Sequence, residues 1–212
     1  MKFRSIAVEG PIGVGKTSFV ELLAKKFDAH RILESSDNPF LQEFYDDKQG
    51  AAFQVQLFFL LSRHRQLQNL NQRDLFQQVT ICDYIFPRDK IFAYLNLDDS
   101  ELLIYDKLYA MLEDQVPKPD LVIFLQAETA TLVERTRRRA RKYEANISEA
   151  YVNEVNKAYN YFFFHYTDTP LLVIDTTRID FVHHEEHLDE LVDQIRKMER
   201  GVQYYRPLGS SA

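Results

Sequence analysis

Residues Gly10-Pro11-Ile12-Gly13-Val14-Gly15-Lys16-Thr17 match the pattern G-x-x-x-x-G-K-[ST] at every fixed position. The apolar run Phe3–Val8 precedes them with strand character, and a helical pattern opens at Thr17. Glycine lets the backbone wrap a phosphate without an obstructing Cβ, and the amides at a helix start attract the anion. In this strand–loop–helix context the motif predicts a nucleotide-binding loop, with ATP as the nucleotide.

Two side chains of this loop supply chemistry that a bound phosphate requires. Lys16 reaches the β- and γ-phosphates, and the Thr17 hydroxyl is a ligand for Mg²⁺. Ser18 follows directly, and we include it among the residues expected to contact ATP. The alternative is a glycine-rich turn that binds nothing, but the flanking strand and helix argue against it.

The composition is ordinary for a globular protein, and we expect a cytoplasmic location from the cysteine usage and the lack of a long apolar stretch. The 212 residues are 45% hydrophobic and 27% charged, and the chain can bury one large core. The net charge of −6 argues against a surface that binds a nucleic acid polymer. The single cysteine, Cys82, excludes an intramolecular disulfide framework. No apolar stretch reaches the roughly 18 residues of a membrane span, so we expect no membrane partner.

Five short apolar runs have the character of parallel strands covered on both faces, because apolar and polar residues hardly alternate in them. They are Phe3–Val8, Arg31–Leu33, Val79–Cys82, Leu121–Leu125 and Leu171–Ile174. Helical patterns lie at Thr17–Phe27, Ala51–Phe76, Arg88–Leu95, Ser100–Gln115, Thr129–Arg139, Ser148–Tyr166 and Glu185–Glu199. The alternation predicts a three-layer α/β fold with a parallel sheet. We expect one domain over residues 1–200 and an irregular tail over 201–212.

A basic segment follows the fourth predicted strand. Arg135–Lys142 holds six basic residues in eight, although the whole chain is acidic. Because arginine donors spread over several phosphate oxygens, this segment favours a lid of about residues 135–146 that covers ATP. A solvated cationic helix end is the alternative.

Seven stretches along the chain form a set more specific than the phosphate loop alone. They are Ile6–Ser18, Leu33-Glu34, Asn38-Pro39-Phe40, Phe53–Arg63, Cys82–Ala93, Arg139–Glu144 and Ile174-Asp175. Together they resemble the deoxynucleoside kinase family, and within it most of all the small bacterial deoxyguanosine and deoxyadenosine kinases. The resemblance implies an α/β, three-layer P-loop kinase fold with a five-stranded parallel sheet and helices on both faces. It also implies a homodimer formed through long helices, in which the stretch Phe58–Leu61 serves both core and interface.

The resemblance implies the catalytic residues. Glu34 matches the general base that accepts the proton of the sugar 5′-hydroxyl while the γ-phosphoryl group transfers. Lys16, Arg139 and Arg141 would stabilise the transferring group, and Arg135 and Arg139 would bind ATP. A helix N-terminal acid is the alternative for Glu34.

The expected metal site combines the loop hydroxyl with a strand-end carboxylate. Asp83 matches an acid near Mg²⁺, so Thr17 and Asp83 are the predicted metal ligands. Many family members carry arginine after this acid, whereas this chain has Tyr84. The departure bears on the nearby contacts to the base and the 5′-oxygen.

The acceptor site is implied in the same way. Gln56 would pair with the base, with Gln54 as a competitor, and Arg63 would support the base site or the phosphates. The remaining expectations are that Asp89 reads the base edge, Tyr45 and Glu144 hold the 3′-hydroxyl, Phe53 and Phe86 wall the base pocket, and Glu34 and Asp83 also face the substrate. The alternatives are a helix N-terminal acid for Asp89 and plain core packing for each phenylalanine.

The histidine-rich run 183–187 has a metal-like spacing, since His183 and His187 are four residues apart. It does not match H-E-x-x-H and begins a polar helix, so we interpret it as a solvated helix start.

The sequence therefore predicts ATP-dependent phosphorylation of the 5′-hydroxyl of a purine deoxynucleoside, in nucleotide salvage and with Mg²⁺. The first alternative is a nucleoside monophosphate kinase similar to thymidylate kinases, which would need extra basic residues for the acceptor phosphate. The second is a nucleotide-binding family member without catalysis. Retention of Lys16, Thr17, Glu34 and the lid arginines argues against it.

Overall fold

The computed structural model describes residues 2–34, 37–46, 48–71, 79–139 and 147–207. These residues form one parallel sheet of six strands in the order β2-β3-β1-β4-β5-β6. The strands are β1 (Ser5–Glu9), β2 (His30–Ile32), β3 (Thr80–Cys82), β4 (Leu121–Gln126), β5 (Leu171–Asp175) and β6 (Val202–Tyr205). All five strands predicted from apolar runs are confirmed within about two residues at each end.

The sixth strand corrects the prediction of five strands and of an irregular tail. β6 pairs in parallel with β5, and Val202 lies opposite Leu171 while Tyr205 lies opposite Ile174. Three of its four residues are exposed, because β6 is an edge strand. It therefore lacks the continuous apolar run by which the other strands are recognised.

The helices in the described residues are α1 (Lys16–Phe27), α2 (Leu41–Tyr45), α3 (Ala51–Asn71), α4 (Arg88–Asn96), α5 (Asp99–Glu113), α6 (Thr129–Arg139), α7 (Glu149–Phe164) and α8 (Glu185–Lys197). The prediction missed α2, because five residues are too few for a helical period to show. The predicted end of the third helix, residues 72–76, lies outside the described residues. No helix within the described ranges is long and apolar enough to cross a bilayer.

Helices cover both faces of the sheet, which confirms the three-layer α/β architecture. Side chains alternate between the faces along each strand. On β4, Ile123 belongs to the cluster that includes Phe19 of α1 and Leu191 of α8. Its neighbour Phe124 belongs to the opposite cluster and stacks on Phe163 of α7, with ring centroids 4.3 Å apart.

The parallel arrangement brings three chemically important segments to one edge of the sheet. The phosphate loop follows β1, Glu34 follows β2, and Asp83 follows β3. Since β1, β2 and β3 are neighbours in the sheet, their carboxyl ends meet. This is the edge at which open α/β sheets bind ligands.

Candidate active site

A cleft of about 990 Å³ opens at the carboxyl ends of the strands. The phosphate loop, α3, the start of α4, α6 and the segment after β5 line it. Of the predicted site residues, the cleft brings together Pro11, Ile12, Gly13, Val14, Gly15, Lys16, Thr17, Ser18, Glu34, Tyr45, Gln56, Arg63, Asp83, Arg135 and Arg139.

The phosphate loop depends on glycine for close packing as well as for conformation. Gly13 has a φ of +84°, a left-handed backbone that other residues rarely adopt. A Cβ there would lie 2.4 Å from the carbonyl oxygen of Leu132 and 2.5 Å from Oγ1 of Thr136, both on α6. The loop therefore lies directly against the helix that begins the predicted lid.

Lys16 folds over the loop that it terminates. Its Nζ donates to the carbonyl oxygens of Gly10 at 2.5 Å and of Pro11 at 3.4 Å. Burial and, to a lesser extent, the charge of Arg88 lower the pKa of Lys16 to about 8, against the opposing charge of Glu9. The ammonium group is thus held at the loop, where a phosphate oxygen can replace a carbonyl as its acceptor.

Glu34 is paired with two buried arginines. Arg63 donates one hydrogen bond to Oε1 of Glu34 and another to Asp89, and Nη2 of Arg88 donates to Oε2 of Glu34 at 2.7 Å. The Glu34 side chain is 23% exposed, whereas those of Arg63 and Arg88 are 4% and 6% exposed. The carboxylate is therefore the more exposed member of the cluster, and all three residues line the cleft.

These arginines determine the protonation state of Glu34. Burial alone would raise its pKa, but the charges of Arg63 and Arg88 and their hydrogen bonds lower it well below the usual range. The carboxyl group is therefore ionised at neutral pH, which is the state required of a proton acceptor.

Asp83 joins Glu34 to the phosphate loop. Its Oδ1 accepts a hydrogen bond from the backbone N–H of Glu34 at 2.7 Å, and its Oδ2 accepts one from the Thr17 hydroxyl at 3.4 Å. Burial raises the pKa of Asp83, and the nearby charge of Glu34 raises it further. A carboxylate and a hydroxyl are oxygen ligands of the kind that Mg²⁺ prefers, so these residues fit the metal.

The apolar wall of the cleft differs from the prediction. Phe53 and Phe86 are not among the described residues that line it. Phe86 belongs to a core cluster and stacks on Tyr109 with centroids 5.0 Å apart, and Phe53 packs against the same cluster. The two rings therefore pack in the core, which was the alternative interpretation for both, and they do not wall the base pocket. Phe59 and Phe92 line the cleft in their place.

Two predicted acceptor residues have contrasting positions. Gln56 is 3% exposed and lines the cleft, as expected for a residue that recognises a base. Asp89 is fully buried and lies outside the described lining. It contacts Arg63, so its influence on the cleft passes through that arginine.

The described part of the predicted lid begins with an arginine that braces a neighbouring segment. Nη2 of Arg135 donates to the carbonyl oxygens of Thr176 at 2.8 Å and of Ile179 at 3.1 Å, and burial lowers the pKa of Arg135. Arg139 lines the cleft at the exposed end of α6. Arg141 and Glu144 lie outside the described residues, as does the rest of the lid beyond residue 139.

Arg88 is the site residue that sequence reasoning missed. Tyr84, which replaces the arginine common in the family, is buried, and its hydroxyl donates to Gln66 at 2.7 Å. Arg88 supplies a guanidinium to Glu34 from the start of α4 instead, and its buried Nε and Nη1 have no partner among the described residues. The available signal was a cation directly after the apolar run Ile85-Phe86-Pro87.

The histidine-rich run also borders the cleft, although it is far from the loop in sequence. His183, His184 and His187 line the cleft, and the run does begin a helix, with His184 immediately before α8. The preceding Phe181 packs on Phe19 with centroids 5.0 Å apart, next to Gly15. The segment therefore lies beside the phosphate loop.

Comparison with known proteins identifies the family. The model of the deoxynucleoside kinase family matches residues 6–199. The chain is 32% identical to the deoxyguanosine kinase of Bacillus subtilis (strain 168), over 91% of this chain and 96% of the relative. It is 28% identical to the deoxyadenosine/deoxycytidine kinase of the same strain, over 90% of each chain.

A solved structure agrees with this match. The deoxyadenosine kinase from M. mycoides with products dCMP and dCDP bound superposes with a TM-score of 0.79 at 25% identity, over 91% of this chain and 99% of that one. The same kinase with bound dATP gives a TM-score of 0.77. With its phosphate loop, its paired Glu34 and these relatives, the chain belongs to the deoxynucleoside kinase family and is a kinase.

Proposed function

We propose that the protein transfers the γ-phosphoryl group of ATP to the 5′-hydroxyl of a purine deoxynucleoside, deoxyguanosine or deoxyadenosine, in nucleotide salvage. The observation that carries the proposal is the ionised Glu34, which faces the same cleft as Lys16 and the phosphate loop. A proton acceptor on one side and a phosphate site on the other are the two parts that this transfer needs.

In this mechanism Glu34 accepts the proton of the 5′-hydroxyl. Arg88 and Arg63 hold the carboxylate in place through their hydrogen bonds to it. Lys16 leaves the carbonyl oxygens of its own loop for the phosphates of ATP. The arginines of the lid neutralise the charge that spreads over the transferring group.

A magnesium ion fits between the two parts. Thr17 and Asp83 would hold it, since their oxygens lie 3.4 Å apart in the cleft. When bound, the ion would neutralise phosphate charge and orient the γ-phosphoryl group. Asp83 also accepts the backbone N–H of Glu34, which ties the proton acceptor to the metal ligand.

The purine preference is supported by relatives and by the floor of the acceptor side. Deoxyguanosine kinases of Bacillus subtilis (strain 168) and Lactobacillus acidophilus are 32% and 31% identical to the chain. Gln56 offers one amide donor and one acceptor to a base edge, and Phe59 and Phe92 offer flat apolar faces. Relatives that act on deoxycytidine make the preference a proposal, because one or two pocket contacts decide it.

The experiment that tests the proposal is a substrate panel with labelled ATP and Mg²⁺. It compares deoxyguanosine, deoxyadenosine, deoxycytidine, thymidine and the corresponding monophosphates. We expect the two purine deoxynucleosides to be phosphorylated with the highest kcat/KM. Turnover of monophosphates alone would instead support the nucleoside monophosphate kinase.

We propose in addition a cytoplasmic homodimer. The stretch Phe58–Leu61 supports this assembly, because Leu60 is fully buried while Leu61 of the next position is 55% exposed. On α5, Leu103 and Ile104 are likewise 60% and 51% exposed. Light scattering coupled to gel filtration measures the mass, and a Leu61→Glu variant of monomer mass would assign the interface to α3.

A further inference from the structure

Glu9, the last residue of β1, is a buried carboxylate that the proposed reaction does not use. Its side chain is fully buried, and it is absent from the described lining of the cleft. A buried carboxylate is costly unless it is hydrogen-bonded, so its partners define its role. Oε1 accepts the backbone N–H of Ile85 at 2.8 Å, and Oε2 accepts the backbone N–H of Gly10 at 3.2 Å.

These two amides belong to opposite parts of the site. Gly10 begins the phosphate loop, whereas Ile85 stands between Asp83 and Arg88 in the segment after β3. The ladder between β1 and β3 has its last pair at Ala7 and Cys82. Glu9 is two positions further along β1 and has no partner on β3 in this ladder. The Glu9 side chain supplies a hydrogen bond between β1 and the segment after β3, beyond the end of the ladder.

The charges around Glu9 have the same division. Lys16 of the phosphate loop and Arg88 of α4 both lower its pKa, although burial outweighs them and raises it to about 7. The carboxylate thus interacts with one cation from the donor side and one from the acceptor side. It contacts neither the cleft nor, by its position, a substrate within it.

We propose that Glu9 is a positioning residue, which holds the phosphate loop and the Arg88 segment at the spacing that phosphoryl transfer requires. The inference rests on the proposed function. Transfer needs the attacking oxygen, the phosphoryl group and the stabilising charges in line, and a displacement of about 1 Å costs on the order of 100-fold in rate. Because the Glu9 side chain joins the phosphate loop to the segment that contains Arg88, it can set the distance between them without touching either substrate.

The test compares two substitutions of Glu9 with the substitution of an exposed carboxylate that also accepts two backbone N–H groups. Glu9→Gln keeps the shape but replaces one acceptor oxygen by an NH₂ group that faces a backbone N–H. Glu9→Asp keeps the charge but is one methylene too short to reach both amides. The control is Asp120→Asn, because Asp120 accepts the N–H groups of Arg4 and Ser5 at 2.8 and 3.0 Å, at the opposite end of β1.

The full-length variants are assayed at a temperature well below their melting points, with the deoxynucleoside that the wild-type enzyme uses. We expect kcat to fall by about 10- to 100-fold in Glu9→Gln, with a much smaller change in KM for ATP. Glu9→Asp should show an intermediate loss. Asp120→Asn should leave kcat within about twofold of wild type, because the two amides that Asp120 contacts lie at the opposite end of β1 from the cleft.

A kcat of Glu9→Gln within about twofold of wild type would overturn the inference. A kcat of Glu9→Asp equal to that of wild type would also overturn it. An equal loss of kcat in Asp120→Asn would show that general stability is responsible. The proposed function is judged separately, on whether wild-type enzyme phosphorylates any deoxynucleoside, so that the two failures are distinguishable.

Discussion

The acceptor side and the donor side of the cleft differ in how their charges are paired. On the acceptor side Glu34, Arg63, Arg88 and Asp89 are largely buried and bonded to one another. On the donor side the Lys16 ammonium rests on carbonyl oxygens of its own loop. The acceptor side is therefore organised before a substrate arrives, whereas the donor side must rearrange around ATP.

The largest effect should follow from removing the proton acceptor. Glu34→Gln should lower kcat by about 10²- to 10⁴-fold, since the amide cannot take the 5′-hydroxyl proton. Binding of ATP, measured by calorimetric titration, should stay close to wild type because Glu34 lies on the acceptor side. Turnover near the wild-type rate would exclude Glu34 as the base.

The pairing itself can be broken at Arg63. Arg63→Met leaves both Glu34 and Asp89 without this partner, so we expect the free energy of unfolding in urea to fall by about 3–5 kcal/mol. The donor-side control is Arg138→Ala, because the Arg138–Glu134 pair is 71% and 67% exposed. That variant should stay within about 1 kcal/mol of wild type. Equal losses in the two variants would contradict the contrast between the sides.

Glu9, which joins the two sides of the cleft, should make the free energy of unfolding depend on pH. The pKa of Glu9 is about 7 in the folded protein, above its ordinary value of 4.5. Between these values the folded state binds more protons than the unfolded state, so this group lowers stability as the pH rises towards 7. Glutamine does not titrate, so the unfolding free energy of Glu9→Gln minus that of wild type should rise with pH. Between pH 5 and pH 8 we expect this difference to increase by on the order of 2 kcal/mol. If urea titrations show that the unfolding free energies of the two proteins change with pH in parallel, the raised pKa of Glu9 is contradicted.

The smallest effect is expected from a single arginine of the donor side. Arg139→Ala should raise KM for ATP about tenfold through the loss of a charge-assisted contact, while KM for the deoxynucleoside remains the same. Arg137→Ala is the matched control, since Arg137 is on the same helix but outside the described lining of the cleft. Steady-state kinetics with either substrate varied would detect the difference.

The features that the sequence predicts correctly are local ones. The phosphate loop, its strand and its helix lie within Ser5–Phe27, where residue spacing alone determines their relation. The strands β4 and β5 are recognisable because both of their faces are apolar. Family resemblance adds Glu34, Asp83 and Gln56, which the fold brings into one cleft.

The features that escape prediction depend on distant parts of the chain. Glu9 and its partner Ile85 are 76 positions apart, and no local pattern connects them. Arg88 reaches Glu34 across 54 positions. Phe86 and Phe59 are equally apolar, yet one packs in the core and the other lines the cleft. Residue type alone cannot distinguish these positions, because an aromatic ring suits both the buried core position of Phe86 and the partly buried cleft wall at Phe59.

The close approach at Gly13 bears on how the enzyme can change over evolutionary time. A Cβ at this position would lie 2.4 Å from the carbonyl oxygen of Leu132 and 2.5 Å from Oγ1 of Thr136, so even one methyl group would clash with α6. Either the loop or α6, the helix that carries Arg135 and Arg139, would have to shift, although no charge would change. A mutation at Gly13 would therefore change the geometry of the predicted lid relative to the loop. The packing of α6 at Leu132 and Thr136 is in turn constrained by a residue that has no side chain.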